Sequence, residues 1–189
     1  MPDGEFRKPF TIALDYSRDW RTVYTDDKQK LFVDITTPQG KALFEGIFTG
    51  QTVYPNKYLA NMALGHNLLM SVDVAAKKRG LEHLVQALND FPSPAPMAEM
   101  LYFAWRLFPE LRPRIAQVCD QYIKSFEENK AAYARQDGYN FRLHTAWLAL
   151  AGMEDTAKLT NNVSLIQSLK DRGERCKDEM DWLAQQKKW

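Results

Sequence analysis

Three histidines are the side chains best suited to catalysis or metal binding in this chain of 189 residues. His66, His83 and His144 are far apart in sequence, and none has a second His or Cys one helical turn away. A metal site on one helix needs such a pair of ligands, so no metal ligand is predicted. We expect His66 to be a partly buried helix residue, His83 to be solvated, and His144 to pack beside Trp147.

The remaining reactive groups give no recognisable site. The adjacent carboxylates Asp26–Asp27 and Glu127–Glu128 could in principle form a glycosidase-type pair, but a turn and a helix surface are their expected settings. Cys119 and Cys176 are predicted to be reduced thiols of an intracellular protein. The sequence has no nucleophile elbow, phosphate loop or dinucleotide fingerprint. The chain is therefore predicted not to be an enzyme, with no catalytic, cofactor-binding or metal-binding residue.

The composition of the chain limits the classes of partner and the cellular locations that we expect. The 25 Lys and Arg residues nearly balance the 24 Asp and Glu residues, which argues against a nucleic-acid binder. No window of about 18 apolar residues is present, so no membrane span is expected. The first eight residues are not followed by an uninterrupted apolar run, so we expect no secretory signal. An intracellular location, cytoplasmic or nuclear, is predicted.

The first third of the chain has the composition of strands followed by a helix. The segments Phe10–Leu14, Arg21–Tyr24 and Leu31–Ile35 are predicted strands, and the last two form an antiparallel hairpin through a turn at residues 25–28. Thr37 then suits a helix N-cap and Pro38 the first helical position. That helix has an apolar face and ends at Gly50; the face consists of Leu43, Phe44, Ile47 and Phe48.

Helices are predicted for the rest of the chain. Asn56 caps one helix, Ser71 caps the next, and Gly80 is expected to end that helix before another begins at Leu81. The prolines of Phe91–Pro96 mark a boundary. Beyond them, helices are predicted over Met97–Phe108, from Pro113, over Phe141–Gly152, and from Asn162 onward.

The predicted fold class is α+β. A small N-terminal antiparallel hairpin precedes a predominantly helical body with a long C-terminal helix. Two parts are expected: an α+β part over residues 1–91, and a helical extension over residues 97–189 that packs on it.

The segment from Leu31 to about Phe126 resembles the BTB/POZ family in its divergent fungal form. The resemblance rests on Val33 to Pro38 and on Leu43 to Gly50, which ends in Phe-Thr-Gly where the family usually has Tyr-Thr-Gly. It also rests on Ala75 to Leu84, similar to the family pattern Ala-x-Lys-Lys-x-Gly-Leu-x-x-Leu. The resemblance covers about half of the chain. It implies a domain for self-association or for docking a partner, without catalysis.

The sequence thus predicts a non-catalytic protein-interaction or oligomerisation domain, adaptor-like in its role. Exposed aromatic side chains often anchor interfaces, and the candidate interaction residues are Phe48, Tyr54, Trp182 and Trp189. The expected partner is a protein, with a homodimer as one form. Two alternatives stay open: a small inhibitor or effector that binds a foreign enzyme, and an enzyme whose site is assembled from scattered polar residues around His66 or His144.

Overall fold

The computed structural model describes residues 9–26, 29–91 and 93–186. They fall into two compact units, which we call the N-terminal unit, ending at Glu99, and the C-terminal unit, beginning at Met100. Pro94 and Pro96, near the boundary suggested by the sequence, belong to the N-terminal unit. The predicted fold class is confirmed: an antiparallel hairpin near the N-terminus, helices after it, and a long last helix. No helix within the described residues combines the length and apolar character that crossing a bilayer requires.

The N-terminal unit contains one hairpin and five helices among its described residues. In chain order these are α1 (Pro9–Asp15), β1 (Trp20–Thr25), β2 (Lys30–Asp34), α2 (Pro38–Thr49), α3 (Lys57–Leu69), α4 (Val74–Asp90) and α5 (Ala95–Glu99). The strands pair antiparallel, with Arg21 opposite Val33 and a bulge between Thr22 and Tyr24. The predicted hairpin is confirmed.

The predicted strand at Phe10–Leu14 is wrong, because these residues form α1. Phe, Thr and Ile favour strands only as a weak local preference, which tertiary contacts override. The contact here is made by Asp15, the last residue of α1, whose buried carboxylate is paired with Lys30 of β2. Its burial ties the end of this short helix to the hairpin.

Local capping signals were predicted correctly around α2 and at the start of α3. The Thr37 side chain accepts a hydrogen bond from the backbone of Gly40, Pro38 is at the start of α2, and Gly50 ends it with a φ of 73°. The Asn56 side chain accepts a hydrogen bond from the Leu59 backbone N–H at 2.9 Å. These bonds satisfy N–H groups that have no partner within a helix.

The N-cap of α4 lies two residues later than predicted. Asp73, rather than Ser71, accepts hydrogen bonds from the backbone N–H groups of Ala75 and Ala76. Ser71 instead supports the cap, because its hydroxyl oxygen accepts a hydrogen bond from the Asp73 backbone at 3.1 Å. A carboxylate at this position also complements the positive end of the helix dipole.

Gly80 does not end a helix, in contrast to the prediction. Helix α4 continues without a break through Gly80 to Asp90. A Cβ atom at Gly80 would lie 2.8 Å from the carbonyl oxygen of Gly65 in α3. The glycine is there because the two helix backbones approach closely, a position that only a residue without a side chain fits.

Every regular element in the described part of the C-terminal unit is a helix. A π-helical turn (Met100–Ala104) leads into α6 (Trp105–Leu107) and a 3-10 turn (Pro109–Leu111), followed by the long helices α7 (Arg112–Tyr133), α8 (Tyr139–Leu159) and α9 (Val163–Gln186). Short turns join α7 to α8 and α8 to α9, as expected for helices that pack side by side. The Arg172 guanidinium of α9 binds both carboxylate oxygens of Glu127 in α7, each at 2.9 Å.

Gly152 is a second glycine whose predicted role is wrong. Helix α8 runs past it to Leu159. Gly152 is buried, and a Cβ atom there would make ordinary contacts with Leu101 and Trp105 at 3.6 and 3.7 Å. Unlike Gly80, Gly152 therefore has room for a Cβ atom, and nothing in the packing around it requires a glycine.

Candidate functional site

His66 lies at the centre of a buried group of charged side chains. Its Nδ1 atom is 2.5 Å from Oε1 of Glu99 in α5, and its Nε2 atom is 3.3 Å from Oδ1 of Asp15 in α1. Both ring nitrogens therefore face carboxylate oxygens, which accept hydrogen bonds when ionised. A ring protonated on both nitrogens donates to both carboxylates. His66 is fully rather than partly buried.

Lys30 and Thr22 complete what we call the His66 cluster: Asp15, Thr22, Lys30, His66 and Glu99. The Lys30 ammonium lies 3.1 and 3.0 Å from the two oxygens of Asp15, and the Thr22 hydroxyl donates to Asp15 at 3.2 Å. Burial alone raises the pKa of Asp15, but its hydrogen bond to His66 and the charges of His66 and Lys30 outweigh that and hold the pKa below 3.8. The cluster thus brings together two carboxyl groups, one ammonium group and one imidazole ring.

The His66 cluster is shielded from solvent. The side chains of Asp15 and His66 are 2% exposed and that of Glu99 is 0% exposed. A general acid or base must come within hydrogen-bond reach of a substrate, and the burial of these groups keeps them from a substrate in solution. Because its charged members come from α1, β2, α3 and α5, the cluster joins four elements of the N-terminal unit. Its geometry fits a structural role.

The other predicted reactive groups are placed as follows. His83 is half-buried and its Nδ1 atom lies 2.9 Å from Oδ1 of Asn61, so the prediction of a solvated side chain is wrong. Burial, together with the charge of Arg79, lowers the pKa of His83. His144 packs beside Trp147 as predicted, with ring centroids 5.6 Å apart. Among residues 9–26, 29–91 and 93–186, no three His, Cys, Asp or Glu side chains group closely enough to hold a metal ion.

The adjacent carboxylates and the cysteines have internal roles. Asp26 accepts a hydrogen bond from the Gln29 backbone at 2.8 Å, which stabilises the hairpin turn; Asp27 and Lys28 lie outside the described residues. Glu127 is held by Arg172 rather than being simply solvated. Cys119 and Cys176 are both free thiols and both buried, in α7 and α9. Each is therefore a packing residue of the C-terminal unit.

Phe48, a predicted interaction residue, lies at the edge of an incompletely covered helix. Only Ile47 of the predicted apolar face of α2 is buried, while Phe48 is 46% exposed and Leu43 is 50% exposed. Phe44 and Phe48 pack edge to face with ring centroids 5.3 Å apart. They share one side of the helix with Lys41 and Glu45, at i, i+3, i+4 and i+7 spacing. We call these four residues the α2 stripe.

The other predicted interaction residues differ in their surroundings. The Tyr54 hydroxyl donates to the carbonyl oxygen of Val23 at 2.6 Å, and burial raises the pKa of Tyr54 to about 12. Tyr54 thus ties the chain between α2 and α3 to β1 at its bulge. Trp182 is exposed on α9 in the C-terminal unit. Trp189 lies outside the described residues.

An open groove in the N-terminal unit was not predicted. It has a volume of about 510 Å³ and lies between the end of β1, the start of α3 and the end of α4. Aromatic rings and two carboxylates dominate its lining, which consists of Tyr24, Asp26, Asn56, Lys57, Tyr58, Leu59, Asp90 and Phe91. Tyr58 and Phe91 pack edge to face with centroids 5.4 Å apart. The volume is in the range typical of small-ligand sites.

One sequence signal could have revealed the His66 cluster. Glu99 is the only acidic or basic residue in the apolar run from Ala95 to Ala104, so its burial calls for a hydrogen-bonding partner from elsewhere in the fold. The identity of that partner and the groove both depend on distant segments.

No protein-family model matches this chain, and no curated protein or solved structure matches it.

Proposed function

We propose that the N-terminal unit is a non-catalytic protein-binding module that self-associates through the α2 stripe. The observation that carries this proposal is the exposure of Phe48 beside Phe44 on a helix whose apolar face is only partly covered. Clustered aromatic side chains at the surface are typical of interface centres. The resemblance of Leu43–Gly50 to a BTB/POZ segment supports the same role for this helix.

The charges of the stripe favour a second copy of this chain as the partner. Lys41 and Glu45 are both exposed, and they flank the two phenylalanines on the same side of α2. Two copies of α2 placed antiparallel about a twofold axis can bring Lys41 of each chain near Glu45 of the other, since a twofold interface must be self-complementary. Lys41 and Glu45 are 3.8 Å apart within one chain, and such exposed pairs are weak. Their exchange between chains therefore costs little.

The test is sedimentation velocity from low to high micromolar concentration. We expect the native chain to form dimers as the concentration rises, Phe48→Asp to remain monomeric, and Val53→Asp to behave like the native chain. Val53 is a suitable control because it is exposed and lies outside α2. A native chain that stays monomeric at high micromolar concentration would refute self-association. Equal effects of both substitutions would refute the stripe as its site.

A charge exchange tests the twofold arrangement separately. Lys41→Glu leaves two acidic residues on each stripe and is expected to weaken dimerisation. Lys41→Glu combined with Glu45→Lys reverses both charges and is expected to restore it, because each cation again meets an anion of the other copy. Failure of the double variant to recover, with its helix content unchanged by circular dichroism, would contradict the antiparallel arrangement.

A further inference from the structure

The groove between β1, α3 and α4 has the chemistry of a cation site. Tyr24, Tyr58 and Phe91 are the aromatic residues of its lining, and Asp26 and Asp90 are the acidic ones. Aromatic faces attract ammonium and guanidinium groups through the ring quadrupole. A carboxylate adds charge attraction at short range. Rings and acids around one open space therefore favour an organic cation.

The hydrogen bonds of Asp90 leave its negative charge in place. Its two oxygens accept hydrogen bonds from Asn61 Nδ2 and from Gln86 Nε2, each at 2.9 Å. Both donors are neutral amides, so they orient the carboxylate without neutralising it. At the other side of the groove, the Tyr24 hydroxyl donates a hydrogen bond to Asp26 at 2.8 Å. Each acid is held in position by neighbouring residues.

We propose that this groove binds a lysine or arginine side chain presented by a basic peptide segment of a partner protein. The groove is larger than a single ammonium group needs, and it is open along one side, which suits a side chain that remains attached to a peptide backbone. Helix α2 does not line it. The site therefore goes beyond the proposed self-association, and either proposal can fail without the other.

Lys57 gives the proposal a distinctive consequence. It lines the same groove at the first turn of α3, where its positive charge opposes an incoming cation. A cation at a helix N-terminus is also unfavourable for the helix itself. Lys57→Gln should therefore tighten peptide binding without loss of stability. A residue whose removal merely disturbed the fold would not have this effect.

The experiment is a two-dimensional amide NMR titration of the full chain with blocked alanine pentapeptides. Their central residue is lysine, arginine, norleucine or citrulline, the last two being close in shape but uncharged. We expect saturable shifts around Asn56, Asp90 and Phe91 with the lysine and arginine peptides only. Equal shifts with norleucine, or no saturable shift with any peptide, would overturn the proposal.

Variants distinguish the groove from the rest of the surface. Asp90→Asn and Phe91→Leu are each expected to weaken binding of the lysine peptide by about threefold to tenfold, whereas Lys57→Gln strengthens it. Asp19→Asn is the matched control, since Asp19 is exposed and lies outside the groove. Phe48→Asp, which tests self-association, should leave peptide binding unchanged. Unchanged binding in both Asp90→Asn and Phe91→Leu would place the peptide elsewhere and refute the proposed site.

Discussion

Replacing Gly80 with alanine is expected to destabilise the N-terminal unit, although alanine is the better helix former. A Cβ atom there would lie 2.8 Å from Gly65 O, 2.8 Å from Leu69 N and 2.9 Å from Leu68 Cβ. Two of these are backbone atoms, so rotating a side chain cannot relieve the overlap, and α3 and α4 must move apart. Overpacking of this kind costs about 1–3 kcal/mol.

The intrinsic helix preference acts in the opposite direction. Alanine is favoured over glycine inside a helix by about 1 kcal/mol. Because the overlap involves the backbone of α3, its cost should lie near the upper end of the range, which leaves a net loss of about 1–2 kcal/mol. Gly173→Ala is the matched control: it lies inside α9, and the nearest atom to its Cβ would be Trp147 Cδ1 at 3.9 Å. It should stabilise the chain by about 0.5–1 kcal/mol.

Amide hydrogen exchange followed by mass spectrometry measures the local stability of each unit separately. Gly80→Ala should speed exchange in peptides from α3 and α4, and Gly173→Ala should slow exchange in peptides from α9. The thermal midpoint should move by about 2–4 °C per kcal/mol for a chain of this size. Unchanged or slower exchange in α4 of Gly80→Ala would mean that the helix backbones are not in contact at this point, and would refute the reasoning.

Three further outcomes follow from the buried charges and thiols. His66→Leu leaves the buried carboxyl groups of Asp15 and Glu99 without the imidazole between them and should cost about 3–5 kcal/mol in urea unfolding. A loss below about 1 kcal/mol would contradict the cluster. The pKa of Asp15 is lower in the folded state than its ordinary value of 3.8. The stability that ionised Asp15 contributes is therefore complete above pH 3.8 and is lost as the pH falls through the folded-state pKa. When the pH is lowered below about 4, the urea concentration at the unfolding midpoint should therefore decrease, and it should decrease less steeply in Asp15→Asn. Burial raises the pKa of Cys119 to about 12 and also raises that of Cys176, so neither thiol should react with a disulfide reagent until urea unfolds the chain; rapid labelling of the native protein would contradict their burial.

Local signals in the sequence were sufficient for the hairpin and for several helix ends. Thr37, Gly50 and Asn56 act within four residues of themselves, by accepting a backbone hydrogen bond or adopting a positive φ. Such interactions need no knowledge of the rest of the fold. The alternating and helical periods of the neighbouring segments agreed with these signals, and the elements formed as expected.

Features of the fold that depend on contacts between distant segments could not be predicted from local sequence. Gly80 resembles a helix end in the local sequence, but the close approach of the α3 backbone explains it. The His66 cluster brings Asp15 to a residue 51 positions later (66 − 15) and Glu99 to one 33 positions earlier. The groove likewise joins the end of β1 to the end of α4. These pairings are set by the tertiary fold, so the local sequence contains no direct signal for them.

The position of Glu99 at the very end of the N-terminal unit affects how this unit can fold during synthesis. Chains emerge from the ribosome N-terminus first, and domains generally fold as units once enough of the chain is available. Until residue 99 has emerged, His66 has Asp15 as its only carboxylate partner within the cluster, and Lys30 competes for that same carboxylate. The hairpin, α2, α3 and α4 can assemble earlier, but His66 gains its contact with Glu99 only when α5 arrives. The N-terminal unit can therefore finish folding only after Glu99, its last residue, has been synthesised.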